Sequence, residues 1–375
     1  HETVEFEIEY DRTLVDGGLS LKKCPGSGEV SSPYIDTFVR SFNLSQAPLL
    51  RVGLIEQGKG KKILLVDMHH IISDGVSHGL LARDFMALYV EEIDRLPQLR
   101  VQYKDYTQWQ ESESQKQSIK LQEIYWVEQF SGEIPVLELP TDFPRPAVQS
   151  FEGQTQVFEI AARETAALKK LAQRMRMTLF MVLEGVFDIL LSKLNGAGGE
   201  DILVGTPVSG RRHADLEPVM GMFVNTLVLR SSPRGDLTVK EFLNQVKETC
   251  LHAFDNQDYP FENLVEHPGL EIKRVAGRNP LFDVMYTFQT LDMPEVKVPG
   301  LKLSSYPDEY RNPTSKFDIT LVGQEKDEGL YWILEYCTRL FTPCTIARII
   351  DYFKNVVSVL GDPVGLEVKL SHLEI

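Results

Sequence analysis

Cysteine is scarce in this chain of 375 residues, and Cys24, Cys250, Cys337 and Cys344 form no CxxC pair. Their spacing excludes a zinc knuckle and a secreted disulfide framework, so a reduced, cytoplasmic chain is expected. Basic residues are also in deficit: 39 Lys and Arg against 54 Asp and Glu leave a net charge of −15. That sign repels polyanions and disfavours nonspecific nucleic-acid binding and adhesion to anionic membranes. No apolar run approaches bilayer length, and the opening HETVEFEIEYDR is acidic where a signal peptide is basic and then apolar. Also missing are a short-period repeat, a low-complexity tract and the GxSxG elbow of a serine nucleophile. What remains is globular composition, 43% apolar and 25% charged, on a length that suits two lobes better than one core.

Periodicity orders the chain. Val4, Phe6, Ile8 and Tyr10 alternate with Glu5, Glu7 and Glu9 as in a strand. A loop rich in glycine and proline follows over 17–33, then a short helix near 34–42, a strand at 49–55 and the apolar strand 63–68. Behind that strand come HHIISDG and a helix with Leu81, Phe85 and Leu88 on one face. Pro140, Pro144 and Pro146 interrupt the pattern between a helix at 120–130 and a strand at 154–160, which sets lobe boundaries of 1–147 and 148–375. Helices near 163–176, 179–194, 239–254 and 345–360 then alternate with strands near 202–206, 226–230, 281–289, 317–323 and 331–337. The fold class is α/β or α+β, with a sheet in each lobe.

The residues richest in chemistry are His69, His70, Asp74 and Gly75. On a loop after a buried strand, an imidazole is presented at the strand end, where its near-neutral pKa suits proton transfer. Asp74 can order the loop through hydrogen bonds or an arginine pair, and Gly75 permits a tight exit into the helix. Duller readings stay open. The two histidines can simply be packed and hydrogen-bonded. His70, Asp74 and His78, four apart, imitate a metal site, but the strand and Gly75 break the helix this would need and no fourth ligand is evident. Ser73 lies inside the loop, not on an elbow.

With these residues the sequence resembles the condensation domains of nonribosomal peptide synthetases, which have the chloramphenicol acetyltransferase-like fold. The resemblance extends, in the family's order, through Tyr103–Gln110 (YKDYTQWQ), Gly221–Leu227 (GMFVNTL), Asn256–Glu262 (NQDYPFE) and Arg278–Met285 (RNPLFDVM). These motifs in register favour a catalytic over a packed histidine pair. Epimerisation domains share the double histidine but differ around FVNTLVLR, heterocyclisation domains replace it with an aspartate pattern, and plant-type acyltransferases carry a DFGWG segment absent here. The wording of the motifs resembles most the subclass joining two L-residues.

The resemblance implies two lobes meeting in a V around a tunnel. It implies an acyltransferase that joins an upstream acyl or peptidyl thioester to the amine of a downstream aminoacyl thioester. Both substrates ride on 4'-phosphopantetheine arms of carrier domains, with no metal and no cofactor bound directly, and an adenylation domain is expected on the C-terminal side after VKLSHLEI. Implied roles are His70 as proton acceptor or amine-positioning group, His69 as loop support, the Gly75 N–H as oxyanion donor, Arg211 as partner of Asp74, and Asn225 and Ser73 as tunnel-facing candidates. Arg211 and Arg212 read equally as a solvated turn. Asp258 is expected to cap the helix of DYPFENLVE, and Tyr106, Trp109, Tyr125 and Trp126 to be core aromatics. The family's SxAQxR-like and RHExxR-like motifs are not found, so the first lobe is expected to lack its start. An inactive carrier-binding scaffold of the same fold is the alternative.

Overall fold

A computed structural model describes residues 3–7, 22–23, 38–58, 61–90, 94, 96–195, 201–272, 275–289, 314–362 and 364–375. The polypeptide divides into two compact units, one built from His1–Ser112 with Arg211–Val224, the other from Glu113–Gly210, Asn225–Leu291 and Arg311–Ile375. The break expected at 147/148 falls inside the second unit. Trp126, Phe130, Leu137 and Leu139 are buried in that unit's core, so apolar burial rather than the proline cluster sets where it begins.

The first unit holds a four-stranded sheet in the order β1(Thr3–Glu7), β4(Lys61–Met68), β3(Leu50–Gly58), β2(Lys22–Lys23). Beyond Lys22–Lys23, the expected 17–33 loop lies outside the described residues, as do 34–37 of the expected 34–42 helix; of its remaining residues only Phe38 is helical and 39–42 are irregular. β4 pairs antiparallel with both β1 and β3, so its backbone is fully laddered and it can be buried on both faces. Strand alternation then separates two small clusters. Leu64, Val66 and Met68 pack with Leu81, Phe85 and Met86 of helix α1(Gly75–Tyr89), while Ile63 and Leu65 pack with Phe38 and Val39. Leu88 departs from the expected face of α1: it is 55% exposed, and Leu80 and Met86 are buried instead. A helix α2(Tyr103–Gln110), which the aromatic motif did not announce as helical, packs Tyr103 and Tyr106 with Leu216, Val219 and Phe223. Trp109 is half-exposed and stacks on Tyr106, so it is not a core residue.

The second unit is a six-stranded sheet covered by helices. Its order is β5(Gly153–Ile160), β10(Gly329–Cys337), β9(Ile319–Lys326), β8(Val284–Gln289), β6(Ile202–Val208), β7(Asn225–Ser231). β8 is parallel to both neighbours and interior, and the expected RNPLFDVM turn feeds it, with Asp283 accepting from Arg278 and from the Asn279 N–H. Helices α3(Glu113–Gln129), α4(Ala162–Met175), α5(Leu179–Leu194), α6(Val239–Asp255), α7(Phe261–Val265) and α8(Pro343–Gly361) complete it. The starts of α5, α6 and α8 follow local sequence chemistry. Thr178, Thr238 and Thr342 each accept a hydrogen bond from the N–H three residues on, which satisfies a first-turn donor. α5 is buried from Met181 to Leu191, including Glu184 and Asp188. Among the described residues Cys250, Cys337 and Cys344 are free thiols, and no helix is long and apolar enough to cross a membrane.

Candidate functional site

The HHIISDG loop lies wholly in the first unit, and its geometry follows from the end of β4. The His69 N–H donates to the Leu49 carbonyl (3.0 Å), extending the ladder by one residue, and His70–Ile72 then form one turn of 3-10 helix. The Ile71 N–H donates to His69 Nδ1 (3.1 Å), which assigns the proton of a neutral His69 ring to Nε2. His70, one step further, is exposed, and so are Ile71 and Ile72. Ser73 is buried and closes the turn, its N–H donating to the His70 carbonyl (3.2 Å). Its burial sets it apart from the exposed His70.

Asp74 ends the loop and starts α1. Its backbone is extended (φ −134°, ψ 179°), and its Oδ1 accepts from the Ser77 N–H (2.8 Å) as an N-cap. The same oxygen accepts from Ser77 Oγ (2.8 Å) and Arg211 Nη2 (3.0 Å), while Oδ2 accepts from Arg211 Nη1 and the Phe223 N–H (3.2 Å). The Asp74 side chain is fully buried and that of Arg211 is 4% exposed. A carboxylate buried among so many donors stays charged: burial pushes its pKa up, but Arg211 and both Ser77 bonds outweigh that and hold it below the ordinary 3.8. Its acceptor capacity is spent on the protein, which suits a fastener rather than a group that handles a substrate proton.

Ser77 is the residue that sequence reasoning missed. Fully buried, its hydroxyl also lies 3.0 Å from both the N–H and the carbonyl oxygen of Gly221 and 3.3 Å from Arg211 Nη2. It ties the start of α1 to 211–224, a segment distant in sequence that belongs to the same unit. Gly221 has to be glycine there, since a Cβ would come within 2.1 Å of the Tyr103 ring. The Arg211 guanidinium lies 4.2 Å from the centroid of the Phe223 ring, and its Nη2 also reaches the Val219 carbonyl. Thus Arg211 is an anchored side chain, whereas Arg212 is exposed. A serine two residues after the DG pair was the available signal.

Two expected roles change. Gly75 has no left-handed backbone, and a Cβ there would meet nothing within 4 Å. The turn into α1 is made by extended Asp74, so neither the backbone nor the space at 75 requires glycine. Asn225, at the start of β7 in the second unit, is not grouped with the loop. Its Nδ2 donates to the carbonyls of Gln257 and Tyr259 (2.8 and 2.7 Å), and its Oδ1 accepts from the Thr226 and Phe261 N–H groups (2.9 and 3.2 Å). It clamps the NQDYPFE loop and occupies a first-turn donor of α7. Asp258 does not cap that helix: Pro260 sits at the N-cap, and Asp258 instead accepts from Gln122 Nε2 (3.3 Å).

The metal-like spacing of His70, Asp74 and His78 does not survive folding, because α1 begins only at Gly75 and Asp74 is already saturated. Among the described residues no group of three His, Cys, Asp or Glu side chains is placed to hold a metal ion. An open concavity of about 530 Å³ in the second unit, lined by Leu137, Leu203, Arg278 and Phe282, contains none of the expected site residues.

Comparison with known proteins accounts for this arrangement. The family model described as Condensation domain matches residues 25–365. Tyrocidine synthase 3 of Brevibacillus parabrevis is 47% identical over 357 residues, covering 95% of this chain and 5% of that protein. Gramicidin S synthase 2 of Brevibacillus brevis is 40% identical over 374 residues, covering all of this chain and 8% of that protein. The chain thus spans under a tenth of the length of these curated relatives. Among solved structures, a four-domain nonribosomal peptide synthetase bound to AMP and glycine matches with TM-score 0.80 at 23% identity, covering 100% of this chain and 32% of its own. The X-domain from teicoplanin biosynthesis matches with TM-score 0.84 at 21% identity, covering 100% and 92%. These likenesses establish the fold, the chloramphenicol acetyltransferase-like α/β architecture of condensation domains. With nine-tenths of its length under the family model and the HHIISDG loop intact, the chain belongs to the condensation-domain family, whose members are amide-forming acyltransferases of nonribosomal peptide synthesis.

Proposed function

We propose that this chain joins an upstream acyl or peptidyl thioester to the amine of a downstream aminoacyl thioester, each delivered on the phosphopantetheine arm of a carrier domain. In this reading the chain is a piece of a larger synthetase with carriers as its partners and an adenylation domain on its C-terminal side. It works in a reducing cytoplasm that suits its free thiols, binds no metal or diffusible cofactor itself, and joins two L-residues. The two lobes are assigned to the first and second units.

The observation that carries the proposal is the division of labour in the loop: Asp74 is buried and saturated, while His70 stands exposed one turn before it. A fixed turn beneath a free imidazole suits a group that accepts a proton from the attacking amine or the tetrahedral intermediate, or that holds the amine by a hydrogen bond. The thioester is already activated, so alignment of the two reactants supplies much of the acceleration and the burden on His70 is modest. The N–H of Gly75, in the first turn of α1 where no intrahelical acceptor exists, is assigned as a donor to the developing oxyanion. Asn225 and Ser73 receive no substrate contact in this scheme.

The test is a single-turnover reaction with both carriers loaded, read by mass spectrometry of the dipeptidyl carrier. Wild type is expected to give product and His70→Ala little. Undiminished yield in His70→Ala removes that residue from the mechanism. Carrier binding without transfer by wild type identifies an inactive scaffold instead.

A further inference from the structure

Alternation along β4 puts Asp67 and His69 on the same face of the sheet, with Ile63 and Leu65 and opposite to Val66 and Met68. The Asp67 side chain is completely buried. Directly across the ladder, in register, stands Arg51 of β3, whose Nη1 lies 3.3 Å from Asp67 Oδ2. The guanidinium does more than neutralise that carboxylate. It donates to the carbonyls of Phe38 and Arg40, and it lies 3.7 Å from the centroid of the Phe42 ring. Phe42 in turn meets the His69 ring edge-on, with centroids 6.1 Å apart. Room for this segment is made by Gly53, where a Cβ would come within 2.8 Å of the Phe38 ring. Burial raises the pKa of Asp67, and the Arg51 guanidinium acts against that rise.

We propose that Asp67 and Arg51 form a positioning pair for His69, acting through Phe42 to fix the imidazole plane and hence the turn that presents His70. An isolated buried carboxylate is costly, and a guanidinium fork is the group that can face it while binding two carbonyls and an aromatic ring at once. The Ile71 N–H on Nδ1 and the edge-on Phe42 ring hold the His69 imidazole from two sides. The pair touches no substrate. It acts through His69, and its effect on turnover rests on the condensation reading above.

Long-range 1H–15N spectra of the full chain labelled at histidine, assigned with His69→Gln, test the pair independently of catalysis. Wild type is expected to show His69 in a single Nε2–H tautomer. Asp67→Asn and Arg51→Lys, which keep shape and charge respectively, are expected to mix the tautomers, and Phe42→Leu to displace the ring resonances. Single-turnover rates of these variants are expected to fall on the order of ten- to a hundred-fold, the loss typical of a reacting group displaced by about an ångström. Unchanged His69 resonances in Arg51→Lys and Phe42→Leu overturn the proposal, even if Asp67→Asn fails to fold. Absence of dipeptide from wild type defeats the condensation reading instead and leaves the spectra to decide on the pair.

Discussion

The second unit should lose stability as pH rises toward neutrality, and Asp188→Asn should abolish much of that loss. Glu184 and Asp188 lie one turn apart on α5, each 1% exposed. Both oxygens of Glu184 and Oδ1 of Asp188 lack a hydrogen-bond partner. Polar groups that interact with them are Cys250 of α6, Tyr286 of β8 and Ser231 of β7, and among the described residues no cation contributes. Burial pushes Asp188 from 3.8 to about 7, eased only by the Ser231 hydroxyl, which sits outside ordinary hydrogen-bond geometry. Burial and the Asp188 charge drive Glu184 well above its ordinary 4.5.

An acid whose folded pKa exceeds its unfolded value holds its proton more tightly when folded. Stability is then highest below the unfolded value, declines between the two, and is flat above the folded one. For Asp188 the decline runs from about pH 3.8 to about pH 7. Each pH unit is about 1.4 kcal/mol at full slope and half that at the folded value itself, so the loss between pH 5 and 7 is on the order of 2 kcal/mol. Glu184 carries the decline further up. Urea denaturation at pH 5, 6, 7 and 8 measures it, with fluorescence dominated by Trp126 and Trp332, both buried in the second unit. Asp67, Asp318 and Glu335, also raised, are common to both proteins and cancel in the difference. The advantage of Asp188→Asn over wild type should widen by about 2 kcal/mol from pH 5 to 7. A difference that stays constant with pH refutes the reasoning.

Arg211→Met leaves a buried, uncompensated Asp74 and should cost the first unit about 3–5 kcal/mol, read by Trp109 fluorescence; a change under about 1 kcal/mol counts against the pair. Because the Asp74 pKa is depressed, the stability it adds is present above about pH 3.8 and should disappear on acidification, so the Arg211→Met deficit should shrink in acid. Asn225→Ala strands the Phe261 and Thr226 N–H groups and two carbonyls, an expected cost on the order of 3 kcal/mol in the second unit, with amide exchange fastest in 256–262. Protection there equal to wild type would show that the clamp is dispensable.

Much of the framework was legible because it is written locally. The apolar run before the double histidine reads as a buried strand, and β4 is laddered on both sides. The helix at 179–194 was legible from its period, and the Thr178, Thr238 and Thr342 starts follow capping chemistry. Asp74 was readable as a loop-orienting carboxylate from its place before a helix. Less legible were residues whose role depends on what faces them. Leu88 fits an apolar stripe but is exposed, while Leu80 and Met86 of the same helix are buried. Asp258 has the chemistry of an N-cap, yet Asn225, distant in sequence, reaches the α7 donor first.

By itself, then, the sequence determined the α/β class, the family and the loop that carries the chemistry, since strand alternation, helix period and capping act over a few residues. Tertiary structure decided which side chains are free to react and which are fasteners. Asp74 meets Arg211 across 137 residues, Ser77 meets Gly221 across 144, and Arg51 finds Asp67 only once β3 and β4 pair. Buried charge is tolerable only beside a partner, and no local rule names one from that distance. The scarcity of cysteine excluded disulfide and zinc scaffolds; hydrogen bonds between distant segments fasten the loop instead.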